Sequence, residues 1–341
     1  MRKTLLGLLL LSMSIWVQAQ ESVFKEGHPE RYQVVKGDTL WDIAGRFLSL
    51  PWKWPEIWHA NPQIDNPHLI YPGDMISLVY IDGQPRLMVN RGNGGTIKLS
   101  PTVRAQPIAE AIPTIPLEAI NAFLNAGRII DDPATLDATP YVIGGEAESV
   151  IAGAGGRVYA RGEVDPAIPA YGIYRRGKSY TDPDTGEFLG LHAQEIGNGN
   201  IRATERDIAT VDVTRTMQEV RIGDRLMPTE ERPVASTFFP SAPDVEVNGL
   251  ILDVPNGVTQ IGQYDVVILN KGARDGLQEG SVLAIYKTGE LVRDRILNER
   301  IRLPDERAGE LMVFRAYDKM SYGIVLSATR QMAIMDKVRN P

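Results

Sequence analysis

The hydrophobic pattern near the amino end switches period within a few residues. Tyr32 to Val35 reads as a short β-rich run, and Gly37-Asp38 then supplies a turn, glycine tolerating positive φ and aspartate bonding nearby backbone amides. Leu40, Ile43, Ala44 and Phe47 recur at spacings of three and four, which predicts a helix with one apolar stripe, capped by Asp38 or Thr39. Pro55 suits the first turn of a second helix, where its missing N–H is one of the donors a helix start leaves unpaired. Ile57 and Trp58 would face the first helix. Pro62 and Pro67 forbid a long continuation, Pro72-Gly73-Asp74 makes a turn, and Met75 to Val79 returns as a strand. The predicted order over residues 30–80 is β, α, α, β.

Residues 81–140 carry Pro85, Pro101, Pro107, Pro113, Pro116, Pro133 and Pro140 with Gly92-Asn93-Gly94-Gly95, a composition of loops and extended segments. Within them Ile97 to Val103 alternates enough for a strand, and Leu117 to Asn125 suits a short helix with Ile120, Phe123 and Leu124 on one side. We read a partly ordered, Pro-rich connector. Such a chain spans up to ~3.1 Å per residue, enough to hold its neighbours well apart.

From about Tyr141 the chain becomes β-rich, with glycine-punctuated runs such as Arg157 to Arg161 and Asp265 to Leu269. It also repeats itself. Ile173-Tyr174-Arg175-Arg176-Gly177 is echoed by Ile285-Tyr286-Lys287-Thr288-Gly289, and Ile222-Gly223-Asp224-Arg225-Leu226 by Ile334-Met335-Asp336-Lys337-Val338, both at an offset of 112. One offset kept by two blocks argues for a duplicated unit over 141–341. A pair of small barrels, or one closed duplicated sheet, would remove exposed strand edges. Tyr174 and Tyr286, at matching points of the duplication, are expected in its core. The fold class is therefore α+β: a small βααβ domain, a Pro-rich connector and a mainly β, duplicated, barrel-like carboxyl-terminal half.

The segment Tyr32-Gln-Val-Val-Lys-Gly-Asp-Thr-Leu-Trp-Asp-Ile-Ala44, followed by Asn61-Pro-Gln-Ile-Asp-Asn-Pro-His-Leu-Ile-Tyr-Pro-Gly-Asp74, resembles a lysin motif (LysM). That family implies a non-catalytic module binding glycans that contain N-acetylglucosamine, such as peptidoglycan. Carried over by position, its groove is formed by Gly37, Asp38, Thr39 and Leu40 on one side and Asn66, Pro67, His68, Leu69, Ile70 and Tyr71 on the other. The sugar's acetamido group can bond backbone N–H and C=O, and its methyl and ring faces want apolar contact, for which Leu69 and Ile70 are placed. Residues 32–79 hold three positive and five negative side chains, so the module is no polyanion trap.

Four of the five tryptophans, Trp41, Trp52, Trp54 and Trp58, fall in this module. Trp41 and Trp58 are expected to fill its core. Trp52 and Trp54, flanked by Pro51 and Pro55, are the better candidates for exposure and for stacking on sugar rings.

Composition narrows the chemistry. Arg2-Lys3, the apolar run Leu5 to Leu11 and Val17-Gln18-Ala19 have the three parts of a secretory signal peptide over 1–19, cleaved after Ala19. Its removal takes the formal charge from -7 to -9, since two cations leave. We expect no membrane span after cleavage and no attraction to nucleic acid. The chain has no cysteine, which excludes disulfides, a thiol nucleophile and a lipidated cysteine. Only His28, His59, His68 and His192 are present, too scattered for a metal-dependent wall peptidase. No catalytic residue, metal ligand or cofactor is therefore assigned.

Across its whole length, with Pro51-Trp-Lys-Trp-Pro-Glu-Ile-Trp58 and Ile261-Gly-Gln-Tyr-Asp-Val-Val-Ile-Leu-Asn270, the chain is similar to the LysM-containing type IV pilus secretin-associated proteins. Their closing half is similar to the carboxyl-terminal domain of flagellar assembly protein T. The resemblance implies a periplasmic, wall-associated adaptor, peripheral to the outer membrane, that ties a secretin ring to peptidoglycan. One alternative is a peptidoglycan-cleaving enzyme using carboxylates among Glu146, Glu148, Glu163, Asp165, Asp182 and Asp184. Another is an adaptor for flagellar or other envelope machinery.

Overall fold

The computed structural model describes residues 23–58, 70–81, 84–90, 112–115, 120, 127–229, 238–255 and 260–341. The signal-peptide segment 1–19, the strand expected over Ile97 to Val103 and most of the helix expected over Leu117 to Asn125 lie outside them. Of that helix only Ile120 is described, helical and fully buried.

The amino-terminal module runs β1 (Arg31–Gln33), α1 (Leu40–Phe47), a 3-10 turn at Pro51–Lys53, α2 (Trp54–Trp58) and β2 (Met75–Ile81), in the order the periodicity predicts. Thr39 is the α1 N-cap: its Oγ1 accepts from the Asp42 N–H at 3.1 Å. Leu40, Ile43, Ala44 and Phe47 all turn inward, against Val34, Ile70 and Ile76. A further strand, β3 (Gln84–Asn90), pairs antiparallel with β2 inside the stretch that reads as connector. Its alternate Leu87 and Val89 enter the same core, while Pro85 sits near the strand start, where a lost ladder donor is tolerated.

The carboxyl-terminal half is two barrels of one design. Ahead of the first come β4 (Gly127–Ile130) and α3 (Pro133–Asp137). Then follow β5 (Tyr141–Gly145), β6 (Ile151–Ala152), β7 (Arg157–Arg161), β8 (Ala170–Thr181), β9 (Phe188–Glu205), β10 (Ile208–Thr216), β11 (Val220–Arg221) and β12 (Arg225–Pro228). The pairings β5-β7-β10-β9-β8-β12 return to β5 and close a ring.

The second barrel has β13 (Asn248–Asp253), β14 (Val266–Leu269), β15 (Val282–Lys287), β16 (Leu291–Arg293), β17 (Arg300–Arg302), β18 (Glu306–Ala316), β19 (Ser321–Ala328) and β20 (Lys337–Arg339). It closes as β13-β14-β19-β18-β15-β20, the same ring strand for strand.

Details repeat too. The Asp224 carboxylate accepts from the Arg221 N–H at 2.7 Å, and Asp336 from the Ala333 N–H at 2.8 Å. Between them Gly223 (φ 92°) and Met335 (φ 74°) take the same left-handed conformation. Gly155 (φ 82°) likewise matches Tyr264 (φ 69°), whose N–H groups bond the carbonyls of Val213 and Val325. Each lumen is apolar, filled by Val142, Val158, Ile173, Val211 and Leu226 in the first and Ile251, Val267, Ile285, Leu311 and Val338 in the second.

Tyr174 lies in a core, as expected, with Ile130, Leu136 and Leu191, whereas Tyr286 is only half-buried, and neither is a lumen residue. The preceding Ile173 and Ile285 point inward, so the period of two turns both tyrosines outward. Tyr174 is buried there, with the Arg128 guanidinium 5.0 Å from its ring centre; Tyr286 is half-buried beneath Arg339.

The two ends of the chain are not held apart. Trp41 and Trp52 of the amino-terminal module share one core with Ile115 and Ile120 and with the outer wall of the second barrel, at Ile268, Phe314 and Ile324. The Tyr264 hydroxyl donates to Asp42 Oδ1 at 3.3 Å across this junction, and burial together with that carboxylate raises the Tyr264 pKa. Three apolar side chains explain why this Pro-rich stretch docks where it is described instead of spanning open solvent: Ile112, Ile115 and Ile120 are buried.

Candidate functional site

The candidate groove is built by two bends that abut where β1 meets α1 and where the chain enters β2. At the first, the Asp38 carboxylate accepts from the Val35 N–H and the Tyr32 hydroxyl, both at 2.9 Å. Gly37 permits the bend at φ 98°. Burial, then the hydrogen bond to Asp38, raises the Tyr32 pKa, and the Arg46 guanidinium lies 4.4 Å from the Tyr32 ring centre. At the second bend, Asp74 Oδ2 accepts from the Tyr71 N–H at 3.0 Å and Gly73 turns at φ 102°. The two bends are tied together by Gly73 N–H to Val34 O at 2.8 Å and Val34 N–H to Asp74 O at 2.9 Å.

Of the groove residues assigned from sequence, Gly37 is exposed, Asp38, Thr39 and Leu40 are buried, Ile70 is fully buried and Tyr71 is half-buried. Asn66, Pro67, His68 and Leu69 lie outside the described residues. Leu40 and Ile70 give their side chains to the core, and Asp38 gives its carboxylate to the bend. What these residues leave outside the core and the bend is backbone: N–H groups of the first turn of α1, which no helical carbonyl satisfies, and the Ile70 carbonyl.

Those groups are engaged by residues 112–114. The Leu40 N–H donates to Pro113 O at 3.0 Å, the Trp41 N–H to Thr114 O at 3.1 Å, and the Ile112 N–H to Ile70 O at 2.8 Å. The sequence did not mark Ile112, Pro113 or Thr114 as part of the site, because a contact made through main-chain atoms leaves no side-chain signature.

Trp52 and Trp54, the better candidates for exposure, are both buried. Trp54 enters the module core and lies 6.3 Å, ring centre to ring centre, from Phe239; Trp52 enters the junction with the second barrel. The flanking prolines favour a tight helical start here, and that turns both indoles inward. Trp41 is buried as expected, in the junction core. Trp52, Lys53, Pro55 and Glu56 also line a cleft against Phe238, Phe239 and Gln278.

Three of the six carboxylates weighed for glycan cleavage, Glu146, Asp165 and Asp182, have structural partners. Glu146 pairs with Arg157 at 3.2 Å, and Asp165 accepts from the Ala167 N–H. Asp182 caps its own turn through the Asp184 and Thr185 N–H groups and accepts from Asn270 Nδ2 at 2.9 Å. Burial would raise the Asp182 pKa, but these hydrogen bonds outweigh it and hold the group below its ordinary value. Among the described residues no three His, Cys, Asp or Glu side chains cluster as a metal site. His192, on β9 opposite Ile129, has its pKa lowered by burial. No helix among the described residues is long and apolar enough to cross a membrane.

Over 60 residues the chain is 40% identical to the uncharacterized protein YqbP of Bacillus subtilis (strain 168), a match covering 15% of this chain and 27% of that relative. Residues 32–79, the two bends and the helices between them, match the family model for the LysM domain. The amino-terminal module is thus a LysM domain, whose ligand class is the carbohydrate of peptidoglycan.

Proposed function

We propose that this protein is a non-catalytic adaptor of the cell envelope, exported by its 1–19 segment to the periplasm, that joins peptidoglycan to a protein assembly. What supports this reading is the LysM domain at 32–79, in which helix-start N–H groups of α1 and the Ile70 carbonyl meet across residues 112–114. An acetamido group carries one acceptor and one donor, and that pair of backbone groups complements it. Gly37, Asp38, Thr39, Leu40, Asn66, Pro67, His68, Leu69, Ile70 and Tyr71 frame the sugar, with Asp38 setting the bend.

The paired barrels form the other grip. Following the resemblance in the sequence, their partner is an outer-membrane secretin, and the pair of contacts ties the ring to the wall. A modest glycan affinity suffices, because linking two contacts raises the effective concentration of the second.

Sedimentation with purified peptidoglycan sacculi tests the first grip: the chain should pellet with the sacculi, and protein left in the supernatant overturns it. Affinity purification from envelope extracts tests the second. Recovery of secretin rings with the wild-type chain is expected, and ring assembly unchanged in a deletion strain would defeat the anchoring role.

A further inference from the structure

We infer that residues 112–115 are a built-in competitor for the LysM groove, a strap that a glycan must displace before it binds. The inference rests on the glycan-binding reading of the groove and adds how access to it is controlled.

The strap takes the backbone groups that a sugar acetamido would need. Leu40 and Trp41 N–H are donors of a helix start that have no acceptor within the helix, and each is occupied by a strap carbonyl. The Ile70 carbonyl, the acceptor on the opposite bend, is occupied by the Ile112 N–H. Donors on one bend and an acceptor on the other are thus bridged by three consecutive residues, which fill the place of an extended ligand. Peptide segments captured through main-chain hydrogen bonds are a general recognition mode, and here the captured segment belongs to the same chain.

The side chains fasten the strap at both ends. Ile112 is buried in the LysM core, and Ile115 is buried in the junction between LysM domain and second barrel. The middle is less well made. Thr114 is 1% exposed, yet its Oγ1 has no hydrogen-bond partner among the described residues. A buried hydroxyl without a partner weakens the seated state relative to a displaced one, in which water satisfies it. A seat held by two side chains and weakened by an unsatisfied hydroxyl is what a displaceable segment requires.

Such a competitor acts by population. If the groove is open in about one molecule in ten, the apparent affinity is about tenfold weaker than that of the open groove. Because the strap also contacts the junction, anything that alters the seat of Ile115 on the second barrel alters glycan access.

The test is titration calorimetry of the full chain with chitopentaose, comparing wild type with the double variant Ile112→Gly/Ile115→Gly, and circular dichroism to check both folds. The variant should bind about tenfold more tightly. Equal affinities, or loss of binding in a folded variant, overturn the strap and leave glycan binding standing. Absence of binding in both proteins overturns the glycan reading itself. Amide hydrogen exchange of the unaltered chain removes any dependence on the variant's folding. Chitopentaose should speed exchange at Ile112 while Leu40 and Trp41 stay protected; slower exchange at Ile112 would show that the strap is part of the binding platform and overturn the inference.

Discussion

Arg157 and Asp212, an ion pair at 2.9 Å on neighbouring strands of the first barrel, stand where Val266 and Ile324 pair on the second. Tyr159 similarly faces Thr210 where Ile268 faces Tyr322, and Arg202 occupies the place of Phe314. The lumens match while the outer walls do not. Closure of the ring therefore depends on the inward alternate positions, and the outward ones answer to whatever covers them. On the second barrel the cover is the LysM domain, residues 115 and 120, and the far end of the β8–β9 hairpin, through Tyr180 and Leu189. That hairpin is pinned by Tyr180 to Asp253 at 2.8 Å and by Glu187 to Arg274 and Lys319 at 2.7 and 3.0 Å. The corresponding hairpin of the second barrel ends in β16 and β17, with Ile296 92% exposed.

The sharpest way to break the comparison is to truncate matching wall residues. Phe314→Ala should lower stability to chemical denaturation by about 3–5 kcal/mol, as for a fully buried aromatic. Arg202→Ala, at the same point of the first barrel, should stay within about 0.5 kcal/mol. Equal losses would mean that the walls are not differently covered.

Next in size is the buried link between barrels. Asn270→Ala leaves Asp182 Oδ2 and the Leu250 N–H without a partner, and should cost about 1–3 kcal/mol by the same measurement. Its counterpart Arg161, exposed and paired with Asp207, should be replaceable by alanine without measurable loss.

Much of this fold was open to reading in the sequence, for reasons that particular residues make plain. Leu40, Ile43, Ala44 and Phe47 mark α1 because its packing face has the helical period. The two Ile-x-Asp turns mark the duplication because Asp224 and Asp336 each hold a turn with a short carboxylate. The strand β3, which follows the LysM match and pairs with β2, was hidden by Pro85, and the burial of Trp52 and Trp54 by neighbours from distant sequence. The strap could not be read at all, since Pro113 and Thr114 bind through their carbonyls.

A smaller effect separates the repeated turns. Gly223→Ala forces a side chain into left-handed backbone and should cost about 1 kcal/mol, whereas Met335→Gly relieves the same strain and should gain a few tenths. Thermal melting of the two variants would show the opposite signs.

The smallest expected change is with pH. Hydrogen bonds from Arg274 and Lys319 hold the Glu187 carboxyl down at about 2, against an ordinary 4.5. Its folded-state pKa is depressed, so its contribution is fully present above about pH 4.5 and is lost as pH falls toward 2. Glu187→Gln should flatten the acid limb of the melting-temperature profile; an unchanged limb would assign that loss to other carboxylates.

Tyr264 occupies a left-handed position that Gly155 fills in the first barrel, and its hydroxyl reaches Asp42 in the LysM helix. The turn itself is formed as well by glycine, so the phenol is dispensable to the barrel. It acts as a peg: one residue adds a polar tie between the two units at a junction that apolar side chains otherwise close.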